Sequence, residues 1–328
     1  RRRPMRTETT SAIHTVSSAR AGHARLRAGA TVIAGIGAAG LAAAGAALAW
    51  GSVERTMPVL RRYEVAVAAH VPEVRILQIA DLHLFAGQEF LLRFLGEVAS
   101  RERFDAVVAT GDNFGSADAL EMVMEAYRPF LPYPGAFVLG SNDYYSPIPK
   151  RWSRYLNRSK PYPVRVVPDL PYLPMVRRMR EAGWIDLSNM SGTLSLPTGQ
   201  VCLLGTDDAH IHRDRLPSPA SSWGVAGVLR LGVTHAPYTR VVSALTSAGS
   251  DLILAGHTHG GQIGIPGFGA IITNCDIPRA YAKGLSRWEA PDGSSSWLHV
   301  SAGLGTSPYA KIRIATRPEA SLIHVHSA

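Results

Sequence analysis

The sequence predicts a layered α/β domain preceded by one N-terminal transmembrane helix. Three observations carry that reading. From Val74 onward, short apolar runs alternate with stretches of helical spacing. Several of those runs have an unbroken apolar core, among them "AVVA", "AFVLG", "VCLLG" and "LILAG", as strands buried on both faces do. Ahead of them, Ala28–Trp50 ("AGATVIAGIGAAGLAAAGAALAW") holds no charged residue. A run of that length is long enough to cross a bilayer at about 1.5 Å per residue.

The first 27 residues carry Arg1, Arg2, Arg3, Arg6, Arg20, Arg25 and Arg27 against one acid, Glu8. They show no apolar period and read as a disordered basic tail. The uncharged run of residues 28–50 exceeds the roughly 7–15 residues of a signal-peptide core, so an anchor is favoured over a cleaved leader. The arginine excess upstream places the tail in the cytoplasm and the bulk of the chain outside it. Residues 51–72 read as a linker, and 73–328 as the folded domain.

The elements of that domain follow in order. Val74–Ala80 ("VRILQIA") is a strand, Glu89–Glu102 a helix, Asp105–Thr110 a strand, Ala117–Tyr127 a helix and Ala136–Gly140 a strand. Strands recur at Val201–Gly205, Val228–Thr234, Asp251–Gly256, Ser296–Gly303 and Ala320–Ser327, with a helix near Thr239–Ala248. No internal repeat is present.

Composition narrows the chemistry. Hydrophobic residues make up 46% of the 328, enough for a sizeable core. The net charge of +9 favours anionic partners. With only Cys202 and Cys275, a thiolate zinc module is excluded, so any metal must be held by His, Asp or Asn.

Such residues stand after five strands. They are Asp81-Leu82-His83, Gly111-Asp112-Asn113, Gly140-Ser141-Asn142-Asp143, His235, and the pair His257 and His259 in "LAGHTHGGQ". Open α/β sheets place their sites at the carboxyl ends of strands. Any one of these residues alone is most simply a cap or a surface group; together they point to a metal site. Mixed nitrogen and oxygen donors without thiolate suit Mn, Zn or Fe. A pair of such ions, roughly 3.5–4 Å apart, clamps a phosphoryl group and activates water.

In this order and strand context, the motifs resemble the calcineurin-like metallophosphoesterases. The resemblance runs from about Val74 to the C-terminus. "DDAH", "GHTHGGQI" and "SAGLGTS" are similar to the membrane-associated bacterial branch with YkuE- and YaeI-type phosphodiesterases. It implies a four-layer α/β/β/α sandwich with two divalent metal ions at one edge. It also implies that Asp81, His83 and His259 hold the first ion, Asp112 bridges, and His235 and His257 hold the second with an Asn oxygen.

The third motif departs from the family's Gly-Asn-His-Asp/Glu, reading "GSND" instead. Aligned without a gap, Ser141 takes the ligand place and Asn142 that of the His proposed to assist the leaving group. Shifted by one, Asn142 is the ligand. Asn142 is favoured, because an amide oxygen suits these metals better than a neutral hydroxyl. The catalytic set is thus Asp112 and Asn142, with His210 or His212 of "DDAHIHRD" standing in for the missing acid. Residues 144–171 form a basic, aromatic insertion with Lys150, Arg151, Arg154, Arg158, Lys160, Arg165, Tyr144, Tyr145, Trp152, Tyr155 and Tyr162. It suits a bilayer interface and lipid phosphate better than nucleic acid. The expected substrate is a phosphorylated small molecule or lipid. The expected activity is hydrolysis of a phosphodiester, pyrophosphate or phosphomonoester bond at a membrane.

Overall fold

The computed structural model describes residues 41–68, 70–149 and 165–328. The basic tail, residues 28–40 of the expected span and residues 150–164 of the insertion lie outside these. Residues 41–54 are helical, and no helix among the described residues is long and apolar enough to cross a membrane.

Two six-stranded sheets organise the domain. The first contains β1 (Val59–Val67), β2 (Val74–Ile79), β3 (Ala106–Ala109), β4 (Gly135–Phe137), β5 (Ile185–Asp186) and β14 (Glu319–Ser327), in the order β1-β14-β2-β3-β4-β5. Strands β2 to β5 run parallel, while β14 pairs antiparallel with β2. The second contains β6 (Ser191–Leu196), β7 (Gly199–Gly205), β8 (Leu229–Val233), β9 (Leu252–Ala255), β12 (Gly284–Glu289) and β13 (Ser295–Val300). Its order is β12-β13-β9-β8-β7-β6, with β7, β8, β9 and β13 parallel.

Three apolar clusters separate four layers. Helices α1 (Glu89–Arg101), α2 (Leu120–Tyr127) and α4 (Tyr172–Glu181) cover the first sheet through Leu91, Leu95, Val123 and Met175. Between the sheets lie Ile76, Val108, Leu203, Leu231 and Leu254. Helix α5 (Thr239–Ser247) covers the second sheet through Val242 and Leu245, against Ile253 and Leu298. Alternate strand residues thus serve two cores, which is why β3, β4 and β9 read as unbroken apolar runs.

Helix α1 shows the local logic. Leu91, Leu95 and Val98 recur at helical spacing and are buried, each stabilising by about 1.5–3 kcal/mol. Glu89 in the first turn and Arg101 in the last complement its dipole.

One polar group sits between the sheets. Gln78 on β2 donates to Ala255 O (2.9 Å), and its Oε1 faces His299 Nδ1 of β13 at 2.7 Å. A carbonyl oxygen only accepts, so Nδ1 carries the proton.

Residues 51–72, read as a linker, contain β1, which pairs parallel with β14 along its whole length. Arg61 and Arg62 face outward and mask the strand's alternation, while Val65 and Val67 enter the core. The sequence reading also lacked β6, β12, α4 and the small antiparallel hairpin of β10 (Gly264–Ile265) and β11 (Gly269–Ala270). The hairpin has two residues a side, too few for any period to register.

Candidate metal centre

The ligand candidates meet where the parallel strands of both sheets end. Two buried triads result: Asp81, His83 and His259, and Asp112, His235 and His257. Within each, one donor atom per residue lies within 4.8 Å of the others.

The backbone turns unusually to achieve this. Asp81 (φ 51°), His83 (41°), Asp112 (58°), His257 (70°) and His259 (50°) all adopt left-handed conformations. Non-glycine residues rarely do so, at a cost of order 1–3 kcal/mol each where the region is disfavoured. Five of the six triad residues thus carry strain that the rest of the fold sustains. Glycine gives them room: a Cβ on Gly140 would collide with Asp112 Oδ1 and the His235 ring.

Asp112 stands between the triads. Its Oδ2 lies 3.4 Å from His83 Nε2 and its Oδ1 3.5 Å from His235 Nε2, one oxygen toward each group. His83 Nε2 faces His259 Nε2 at 3.1 Å, and His257 Nδ1 faces His235 Nε2 at 3.3 Å. Ring nitrogens converging in pairs beside carboxylates are what shared cations require. The donor set, all nitrogen and oxygen, fits divalent Mn, Zn or Fe.

Outer groups fix these rings. His235 Nδ1 donates to Thr110 O at 2.7 Å, which aims Nε2 at the centre. Both oxygens of Asp81 accept from the His257 N–H, each at 3.0 Å. Arg313, fully buried, sets Nη2 3.1 Å from His259 Nδ1 and donates to Ala302 O and Gly305 O. Asp143 accepts from the N–H groups of Asp112 (2.9 Å), Asn113 (2.9 Å) and Gly140 (2.8 Å), clamping two strand-end loops together.

The electrostatics favour a bound cation. Burial, reinforced by Asp112 and opposed by His235, pushes the Asp81 carboxyl up to about 7. Burial opposes charge on Asp112 as well, yet His235, His83 and His257 hold it well below the ordinary carboxylate range. Despite its burial, His235 is drawn well above the usual imidazole range by Asp112 and Asp208. Burial, with neighbouring cationic groups, pushes His257 and His259 well below it. His235 holds positive charge beside Asp112 that a metal ion would replace.

The altered third motif opens α3 (Ser141–Tyr144). Asn142 reaches the centre through its backbone, its N–H donating to Asp112 Oδ1 at 2.6 Å. Its amide nitrogen turns away to Tyr145 O at 3.0 Å. Of the two candidate acids, His210 lies at the site: its ring centroid is 4.6 Å from that of His257, and its Nδ1 is 3.1 Å from Tyr238 Oη. His212 is exposed, in a left-handed turn beyond it. The aromatics that open the insertion are not a free surface. Tyr144 is buried, donating to Asp207 beneath the Arg213 guanidinium, and Tyr145 is buried beside it.

Three functional groups escaped the sequence reading. Arg313 and Asp143 act through contacts that no local pattern announces. Asp208, inside the quoted "DDAH", accepts from the His210 N–H at 2.8 Å and leaves Oδ2 buried without a hydrogen-bond partner. Burial pushes its carboxyl up to about 7.

Comparison with known proteins agrees with this geometry. A family model described as calcineurin-like phosphoesterase matches residues 74–261. Phosphodiesterase YaeI of Escherichia coli is 30% identical over 45% of this chain and 49% of its own length. The uncharacterized metallophosphoesterase Cj0846 of Campylobacter jejuni is 26% identical over 63% of this chain and 49% of its own. The uncharacterized metallophosphoesterase YkoQ of Bacillus subtilis is 24% identical over 75% of this chain and 82% of its own. The chain thus spans about half the length of the first two relatives.

Proposed function

The chain belongs to the calcineurin-like phosphoesterase family, and from that premise we propose that it is a membrane-anchored hydrolase with a two-metal centre. It would cleave a phosphodiester, pyrophosphate or phosphomonoester bond, in a lipid-linked or nucleotide-sugar substrate. The observation that carries this reading is Asp112, with one oxygen toward each triad. The likeness to YaeI, a phosphodiesterase by name, supports the phosphodiester. Anchoring rests on the uncharged run of residues 28–50, and an extracytoplasmic domain on the arginines before it.

The residues divide the work. Asp81, His83 and His259 would hold one ion, His235 and His257 the other, with Asp112 shared and Asn142 contributing to the second. Divalent ions held there would supply Lewis acidity toward a phosphoryl oxygen and a nucleophile from water at neutral pH. Thr110 O and the His257 N–H keep the donor atoms aimed inward before substrate arrives. His210, next to His257 and hydrogen-bonded to Tyr238, would give its proton to the departing oxygen.

A second reading, a phospho-ligand receptor without turnover, draws its support from "GSND" alone. An aryl phosphodiester assayed with added Mn or Zn separates the two. Turnover that disappears in Asp112→Ala is the expected result. Metal bound at both triads without turnover on any phosphoester would overturn the enzyme reading in favour of the receptor.

A further inference from the structure

We propose that the β10–β11 hairpin docks the domain onto an anionic lipid surface, directly beside the metal centre. The inference deepens the membrane reading above and rests on it, but it concerns a segment far in sequence from residues 28–50.

The hairpin grows straight out of the site. The turn His259–Gly261 leads into it, and Gln262 then ties it down by donating to Ala310 O (2.7 Å) and Ile312 O (3.0 Å). Its backbone is held beyond Arg313 as well: the Ile314 N–H donates to Gln262 O (3.0 Å) and Ile314 O accepts from the Gly264 N–H (2.8 Å). What it carries outward is apolar. Phe268 is 59% exposed, Ile265 49%, Ile271 44% and Ile263 38%. Soluble surfaces scatter such residues singly; four within nine positions on one projecting turn form a patch that a partner must cover.

Charge identifies the partner. Arg279 and Lys283 are exposed and line an open groove of about 390 Å³ with Phe268, Ala270 and Gly260, the neighbour of His259. The Arg279 guanidinium lies 4.6 Å from the centre of the Phe268 ring. Lys311, also exposed, stands on the loop that Gln262 holds. Two acids lie nearby: Asp276 accepts from the Thr239 N–H, and Glu319, which feels the Lys283 charge, is buried. An apolar tip within a cationic rim matches the boundary between acyl chains and anionic headgroups. A second copy of this chain would bring the same cations to the same face, so self-association is opposed by like charge. Seated on a bilayer, the groove would open toward lipid phosphates, with Gly260, the chain neighbour of His259, in its wall.

The test reads lipid contact rather than turnover. The full chain carries an environment-sensitive nitrobenzoxadiazole probe at Phe268→Cys, at Ile265→Cys, or, as reference, at Pro291→Cys in the turn at the other end of β12. The parent chain, whose Cys202 and Cys275 are buried, is labelled in parallel as the blank. Each protein is mixed with vesicles of phosphatidylglycerol or of phosphatidylcholine. The expected result is a blue shift and brighter emission at positions 268 and 265 with phosphatidylglycerol, reduced by salt, and no change at 291. A chain that floats with vesicles while both hairpin probes stay in water overturns the proposal and leaves the anchor standing. A chain that neither floats nor shifts overturns both. A shift that follows protein concentration without lipid overturns it in favour of a dimer.

Discussion

The two triads are built from the same residue types but backed differently. Behind the first stands a buried cation: Arg313 approaches His259 Nδ1 at 3.1 Å. Behind the second stand acceptors and titratable groups: Thr110 O takes the His235 proton, and His210 with Tyr238 lies beside His257. A guanidinium can only donate, so it draws electron density from the His259 ring; a carbonyl acceptor does the reverse for His235. The difference teaches that ligand lists alone do not rank two metal positions. The first is expected to hold its ion more weakly, and the second to face the leaving group.

The largest effect should erase the comparison altogether. Asp112→Ala removes the carboxylate that turns one oxygen toward each triad. Metal analysis should find both positions depleted, and activity should fall by about a thousandfold or more, equivalent to ~4 kcal/mol. Full occupancy at either triad would show that Asp112 is not shared.

Arg313→Met sharpens the asymmetry. Its loss should change affinity at the first position by about 10–100-fold, as outer-shell substitutions do, and leave the second nearly untouched. Stepwise chelation with occupancy read at each stage measures this. Equal shifts at both positions would mean that Arg313 acts on the fold, not on His259.

His210→Gln probes the second triad. A missing acid matters most for poor leaving groups, so alkyl esters should slow by about a hundredfold and aryl esters far less. Ser141→Asn with Asn142→His, which restores the family pattern, should raise alkyl rates more than aryl rates. Asn142→Ala should lower second-site occupancy while Ser141→Ala does little; the reverse would place Ser141 in the ligand position.

The smallest effect is a reference point outside both triads. His299 is buried between the sheets, and burial alone pushes its imidazole down to about 3. Its folded value lies below the ordinary 6.5, so between those values the unfolded chain binds a proton that the folded chain refuses. The contribution is intact above about pH 6.5 and is lost as pH falls toward 3. His299→Gln should flatten that acid limb by up to one proton, ~1.4 kcal/mol per pH unit. Urea unfolding across pH measures the slope; an unchanged slope would mean that His299 does not set it.

Much of the centre was legible because it is local. Each ligand follows an apolar strand, and glycines beside Asp112, His257 and His259 announce tight turns. The order of these ends therefore survives in the linear chain. What supports them does not. Arg313 lies in an irregular segment whose neighbours give no period, and its meaning appears only when β14 returns beside β2. Asp143 reads as a spare acid until its three N–H partners converge. The strand β1 hid behind Arg61 and Arg62, because an edge strand needs only a few apolar residues to belong. The hairpin was too short to register, although its exposed isoleucines were in plain view.

Glu54 has a practical consequence. Its carboxylate accepts from the N–H groups of Ala315 (3.0 Å) and Thr316 (2.8 Å), while Gly51 O accepts from the Arg313 N–H at 2.9 Å. The last helical turn before β1 thus grips the loop that presents Arg313 to His259. The compact unit accordingly begins at Trp50, although the family match begins at residue 74. Anyone trimming this protein to free it from its N-terminus should cut before Trp50. A cut at Val74 would discard β1 and the clasp on Arg313, and an inactive fragment so obtained would say nothing about the proposed activity.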